Sequence, residues 1–262
     1  TFTMRTVEQY KQGDEDRGIR APVPFAHLRS FTGSLFFGLD EMHLLGHGLA
    51  RLLWNLLLND KQKFGDNTIT EQYPFKLKRG VTLRMIGDAV QSSRQYMPTA
   101  FQSKWNNIAT DSGHYRAVDW LDFLLYVVPT IVVDSLELDE TRFAVLKLIL
   151  ACQISLQWEI TAADLSTVER NIREWQSFLL THYSGGNRTL KLPVFTIMQH
   201  YLSHIANTLH NLGPLYSFLA RCMERINGLY KKMIRSMAAP GQNASNLIEK
   251  LAAFHFVERV HP

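Results

Sequence analysis

In the run FFGLDEMHLLGHG, from Phe36 to Gly48, one aspartate and two histidines stand in an otherwise apolar stretch, at Asp40, His43 and His47. On an α-helix positions i, i+3 and i+7 share a face, so a helix beginning by Asp40 would point all three the same way. A second pair four apart, His200 and His204 in QHYLSH, would share a face of another helix. Imidazole and carboxylate together ligate zinc and other divalent ions, so these groups could assemble a metal site. The spacing lacks the glutamate of an HExxH motif. It fits better an aspartate that accepts a hydrogen bond from a partly buried histidine, orients it and ties two helices together.

The third candidate lies in RCMERINGLYKK, from Arg221 to Lys232, where Glu224 stands among Arg221, Arg225, Lys231, Lys232 and Arg235. Such a helix suits a phosphate backbone, with the carboxylate as a possible ligand of a catalytic divalent cation. It also fits a solvated face on which Glu224 pairs with Arg221 or Arg225. Met223, Ile226, Tyr230, Met233 and Met237 form a neighbouring stripe expected to face the core. Asp119 and Asp122 read as a helix edge, and Trp120, Tyr126, Trp158, Trp175 and Phe178 as core aromatics. No phosphate-binding glycine loop or nucleophile elbow is present.

The elements that must position these groups read as helices. Apolar residues recur at a 3.6-residue period from Leu39 to about Leu58, where Asp60 and Lys61 end the run. Further helices are predicted over Leu83–Tyr96, Ala117–Ser135, Asp139–Trp158, Thr161–Tyr183 and Pro193–Leu212, with Asp139 and Thr161 as N-caps. A polar loop with Gly65-Asp66-Asn67 and a break at Ser184-Gly185-Gly186-Asn187 separate them. After Gly213-Pro214 another helix should run to about Ala238, stopped by Ala239-Pro240-Gly241 before a short helix, Ser245–Phe256. No strand series or repeat appears, so the fold is mainly α. It divides into an irregular lead-in (1–36), a helical region (37–190) and C-terminal helices (191–262).

A chain of 262 residues, 46% hydrophobic and 20% charged, is neither disordered nor collagenous. Two distant cysteines, Cys152 and Cys222, give no disulfide framework and no zinc module, which suits a reducing compartment. The most apolar run, LLYVVPTIVV, is half the ~20 residues of a bilayer span and contains Pro129, so no membrane segment is expected. The opening TFTMRTVEQYKQGDEDRG resembles no signal peptide, which points to an intracellular chain, nuclear or cytoplasmic. The sequons at Asn187 and Asn243 read as chance matches. A net charge of +4 permits an anionic partner without demanding one.

LDEMH resembles the LDxMH, or D(2)H, motif of CACTA-type (En/Spm-like) DNA transposases. VFTIMQHYLSHIANTLHNLGPLYSFLARCMERINGLYKKMIRSMAAPG is similar to that family's terminal block: two histidines four apart, a Gly-Pro, a Met-Glu-Arg and a basic helix. RGIRAPVPFAHL resembles, more loosely, the segment ahead of the D(2)H motif, while residues 60–190 match only as a helical insertion. The resemblance implies a helical insertion plus the last helix of an RNase H-like catalytic domain. Glu224 would be the third acidic residue, Asp40 and His43 the D(2)H pair, and His200 and His204 a nearby helical pair. DNA is the implied partner and Mg or Mn the implied metal, held by the full-length enzyme and not required by this chain. The family's first two aspartates lie upstream of the D(2)H motif, and here only Asp14, Glu15 and Asp16 precede Asp40, in a GDEDRG loop without strand character. The upstream part of the same polypeptide would then be a partner, and this chain alone is expected to be inactive. The alternatives are a domesticated or truncated module that binds DNA or protein without catalysis, and an all-α metal-dependent hydrolase using Asp40, His43, His47, His200 and His204.

Overall fold

Long apolar stretches broken by capped polar turns leave helix packing as the way to bury this chain's hydrophobic surface, and a computed structural model has that architecture. It describes residues 5–59, 73–99, 101, 103–183, 194–234 and 240–260. No strand occurs among the described residues; the only β pairings there are isolated bridges, Asp14 with Ile19 and Leu77 with Leu136. The chain forms two compact units, Thr1–Phe218 and Leu219–Pro262. The loop at Gly65-Asp66-Asn67, the break at residues 184–187, Arg235, Met237 and Ala239 lie outside the described residues.

In the first unit, α1 (Val7–Gln12) is closed by a capping box between Thr6 and Gln9. Where an irregular lead-in is expected, Tyr10, Ile19, Ala26 and Phe31 instead bury a small core of their own, packed with Phe36. Tyr10 and Phe31 meet edge to face at 5.3 Å. The sequence gives no periodic clue to this core because its residues come from separate turns rather than one helical face.

The expected helix from Leu39 to Leu58 exists, but α2 begins as a π-helix (Met42–Ala50) and becomes α-helical only over Arg51–Leu58. Asn59, in the left-handed conformation, caps it with its N–H on the Leu56 carbonyl, ahead of the Asp60-Lys61 stop read from sequence. α3 (Leu83–Ser93) and the short α4 (Ile108–Asp111) follow. α5 is one continuous rod: Ala117–Asp122, then a π-helical stretch, Phe123–Val132, then Val133–Ser135. Pro129 explains the widened turns. It has no N–H and its ring crowds the carbonyl four residues back. That carbonyl, Leu125 O, accepts a bond from Gln153 Nε2 at 3.3 Å instead.

α6 (Asp139–Ser155) and α7 (Ala162–Tyr183) pack as an antiparallel pair. Thr161 caps α7 as expected, trading hydrogen bonds with Asp164. Asp139 does not cap α6. Leu138 holds that position, and Asp139, the first helical residue, pairs with Arg142 at 2.7 Å. The expected helix over Pro193–Leu212 is two, α8 (Ile197–Leu202) and α9 (Ile205–Leu212), parted at Ser203-His204. Trp54, Phe75, Phe123 and Trp175 fill the centre, with Trp54 edge-on to Phe123 and Phe75 edge-on to Trp175. Polar anchors fix the packing: Trp175 Nε1 donates to Gln199 Oε1 (2.9 Å), and Thr141 Oγ1 to the Pro74 carbonyl (2.6 Å).

Two expected core aromatics are not core. Tyr126 is exposed, meeting Phe101 edge to face. Trp158, 79% exposed, lies flat on Tyr216 at 4.7 Å and 8°. It sits in the turn after α6 rather than on that helix. The second unit holds α10 (Arg221–Met233) and α11 (Pro240–Val260). Pro240 opens α11 rather than ending its predecessor, since a proline at the first helical position loses no hydrogen bond.

Two glycines test this geometry. A Cβ on Gly46 would stand 2.7 Å from the Ala117 carbonyl oxygen, whereas one on Gly228 would meet nothing. Gly46→Ala is expected to destabilise by about 1–3 kcal/mol through overpacking. Gly228→Ala should instead stabilise α10 by up to about 1 kcal/mol. Urea denaturation midpoints of the two variants check both signs.

Candidate functional site

Asp40 stands at the entrance to α2. Its Oδ2 accepts the His43 backbone N–H at 2.9 Å and lies 2.5 Å from His43 Nδ1, while its carbonyl accepts the Leu44 N–H. One carboxylate thereby caps the first turn and fixes the orientation of the imidazole. With Asp40 ionised, the contact requires the proton on Nδ1, so in the neutral ring Nε2 carries the lone pair. The neighbouring Glu41, to which sequence reasoning assigned no role, is buried outright.

His47 lies within the π-helical stretch, Met42–Ala50, one turn beyond His43. Partial burial, then the charges of His43 and Arg51, push the His47 imidazole below its usual range.

α8 carries His200, with His204 at the junction to α9, and packs on the π-helical part of α2. The contact is close: a Cβ on Gly48 would meet Met198 Cγ at 2.6 Å. LDEMH and HYLSH thus lie on two touching helices. His200 and His204 face each other with their Nε2 atoms 3.2 Å apart and their ring centroids at 4.9 Å. Burial first, then His200 and Arg5, push His204 below the usual histidine range. Among the described residues no three of His, Cys, Asp and Glu converge as a metal-binding group. The pooled site of Asp40 and both histidine pairs is therefore not assembled there.

In the second unit Glu224 lies in the first turn of α10, where a carboxylate complements the helix dipole, and its N–H bonds the Ala220 carbonyl at 2.9 Å. Arg225, Lys231 and Lys232 are exposed and Arg221 is half-buried. Of the described residues of the stripe expected to face the core, Met223 is 61% exposed, Ile226 is 40% exposed and Tyr230 and Met233 are half-buried, and no residue of α10 is fully buried. A stripe at helical spacing identifies the apolar face of α10 but not a partner for it.

Asp119, read as part of a helix edge, is a buried anchor. Its Oδ1 accepts from the Lys104 backbone N–H (3.0 Å) and Arg116 Nη2 (2.9 Å), and its Oδ2 from Arg116 Nε (2.9 Å) and the Arg116 backbone N–H (2.8 Å). The signal that could have found it was R-A-V-D, an arginine three residues before an aspartate at a helix start. Asp122 accepts from Ser103 Oγ, so the two carboxylates hold residues 103–104 against α5 rather than facing a shared ligand.

No family model, curated protein or solved structure matches this chain.

Two outcomes follow. Burial acts to raise the Asp119 carboxyl, but the bonds from Arg116 and Lys104 prevail and hold it below the usual aspartate range. A depressed carboxylate adds stability that is present above its unfolded value of about 3.9 and is lost as pH falls through the lower folded value. Asp119→Asn should cost about 2–3 kcal/mol near neutrality, and the deficit against wild type should shrink below pH ~3. Asp40→Ala should cost about 1 kcal/mol as a lost cap. Denaturation midpoints across pH measure both.

Proposed function

We propose that this chain is the C-terminal portion of a CACTA-like DNA transposase, whose full polypeptide cleaves and joins DNA strands with divalent metal. The observation that carries the reading is the order of its sequence blocks: LDEMH, then HYLSH, then Gly213-Pro214, then MERINGLYKK. Two features of the fold favour it. The helices bearing LDEMH and HYLSH pack together, and Asp40 already orients His43. The Glu224 helix presents Arg225, Lys231 and Lys232 to solvent, where a phosphate backbone can reach them.

The chain's own residues do not fit a two-ion catalytic site. Glu224 contributes one carboxylate, whereas two ions held close together for phosphodiester chemistry need several. In this reading the other acidic ligands belong to the upstream part of the polypeptide, and the basic helix, with Arg221 and Arg235 contributing, supplies DNA contact. Work on DNA fits a nuclear or cytoplasmic location for the full protein. Among the described residues no helix is long and apolar enough to cross a membrane.

A titration of this chain with labelled duplex DNA across salt concentrations tests the contact. Each phosphate neutralised contributes about −0.9 to the log–log slope, so reversing Arg225 and Lys232 to glutamate should weaken binding and flatten the slope by up to about 1.8. Unchanged affinity would remove the DNA reading of α10. In the longer polypeptide, Glu224→Gln should abolish Mg- or Mn-dependent cleavage while leaving DNA binding intact. DNA binding without cleavage in the unmodified polypeptide would instead favour a non-catalytic module.

A further inference from the structure

We infer that His200 and His204 form a two-imidazole site for a transition-metal ion of the zinc class, one that clamps the junction between α8 and α9. The inference rests on ring geometry alone and stands or falls separately from the transposase reading. The two Nε2 atoms are 3.2 Å apart. With metal–nitrogen bonds of about 2.05 Å, that separation subtends about 103° at a shared ion, close to the tetrahedral angle. The separation of the two nitrogens thus suits a shared ion.

The gap between the rings constrains where their hydrogens can sit. At 3.2 Å both cannot carry a hydrogen toward the other, so at least one presents a lone pair to the gap. The donor set selects the class of ion. Neutral imidazole suits zinc, copper, nickel and cobalt, whereas magnesium and calcium prefer oxygen ligands, and water completes the coordination of a two-histidine site.

The position gives the ion a structural consequence. His200 lies in the last turn of α8, and His204 is the residue from which α9 starts. Between them the chain turns through the Ser203 N–H on the His200 carbonyl and the His204 N–H on the Tyr201 carbonyl, each at 3.0 Å. An ion bridging the rings fastens this break from outside. Because Met198 and Gln199 hold α8 against Gly48 and Trp175, the clamp also fixes the direction in which α9 leaves the core.

Calorimetric titration of the untagged chain with Zn(II) at neutral pH, paired with thermal melting, decides the matter. We expect saturable binding of one equivalent in the submillimolar range and a raised melting temperature with zinc present. His200→Gln should weaken that binding by at least about tenfold and remove the thermal shift, because a single imidazole is left. His200 is exposed, so its replacement should melt like wild type without zinc. His204→Gln is the second variant and should lose binding likewise. A variant with both His43 and His47 changed to glutamine should bind like wild type. Zinc affinity undiminished in His200→Gln and His204→Gln, no saturable binding, or loss only when His43 and His47 are replaced would each overturn the site.

Discussion

At Gly46 the backbone of α2 runs so close to the Ala117 carbonyl that no side chain fits between them, and the packing of the first unit depends on that approach. Through it α2 lies directly on the start of α5, and two positions later Gly48 admits Met198 from α8. Three helices remote in sequence converge on one stretch of backbone. The LDEMH segment enters this crossing at its first turn, so the orientation of Asp40 and His43 is tied to the same close contact.

Around the crossing, buried polar groups rather than added apolar area select one arrangement. Trp175 on Gln199, Thr141 on the Pro74 carbonyl and Asp119 on Arg116 each place a specific donor against a specific acceptor. A slipped helix would leave these groups buried without partners, at a penalty of about 1–3 kcal/mol each. Pro129 illustrates the same rule in reverse. The helix keeps its course because widened turns absorb the ring and Gln153 bonds the Leu125 carbonyl.

The helical content and the Thr161 cap were legible in the sequence because hydrophobic periodicity and capping chemistry are local. The Asp40–His43 pairing was legible for the same reason, since three residues at a helix start settle it. The π-helical turns were not: Phe123–Val132 is apolar almost all round, so its pattern does not distinguish one helical pitch from another. Nor was exposure. The Met223–Met237 spacing marks an apolar face, but what covers a face depends on packing partners that periodicity does not encode. Burial of Asp119 depends in part on Lys104, from chain that turns back onto α5, and the break at Ser203-His204 carries no proline or glycine to announce it.

The stack of Trp158 on Tyr216 gives the molecule an optical asymmetry. Trp54, Trp105, Trp120 and Trp175 are all buried, while Trp158 lies with most of its surface in solvent. A collisional quencher in solution therefore reaches one indole well before the others. Because that indole rests on Tyr216, at the end of the first unit's chain path, its emission reports on the turn after Gly213-Pro214, while the shielded remainder of the signal reports on the helical core.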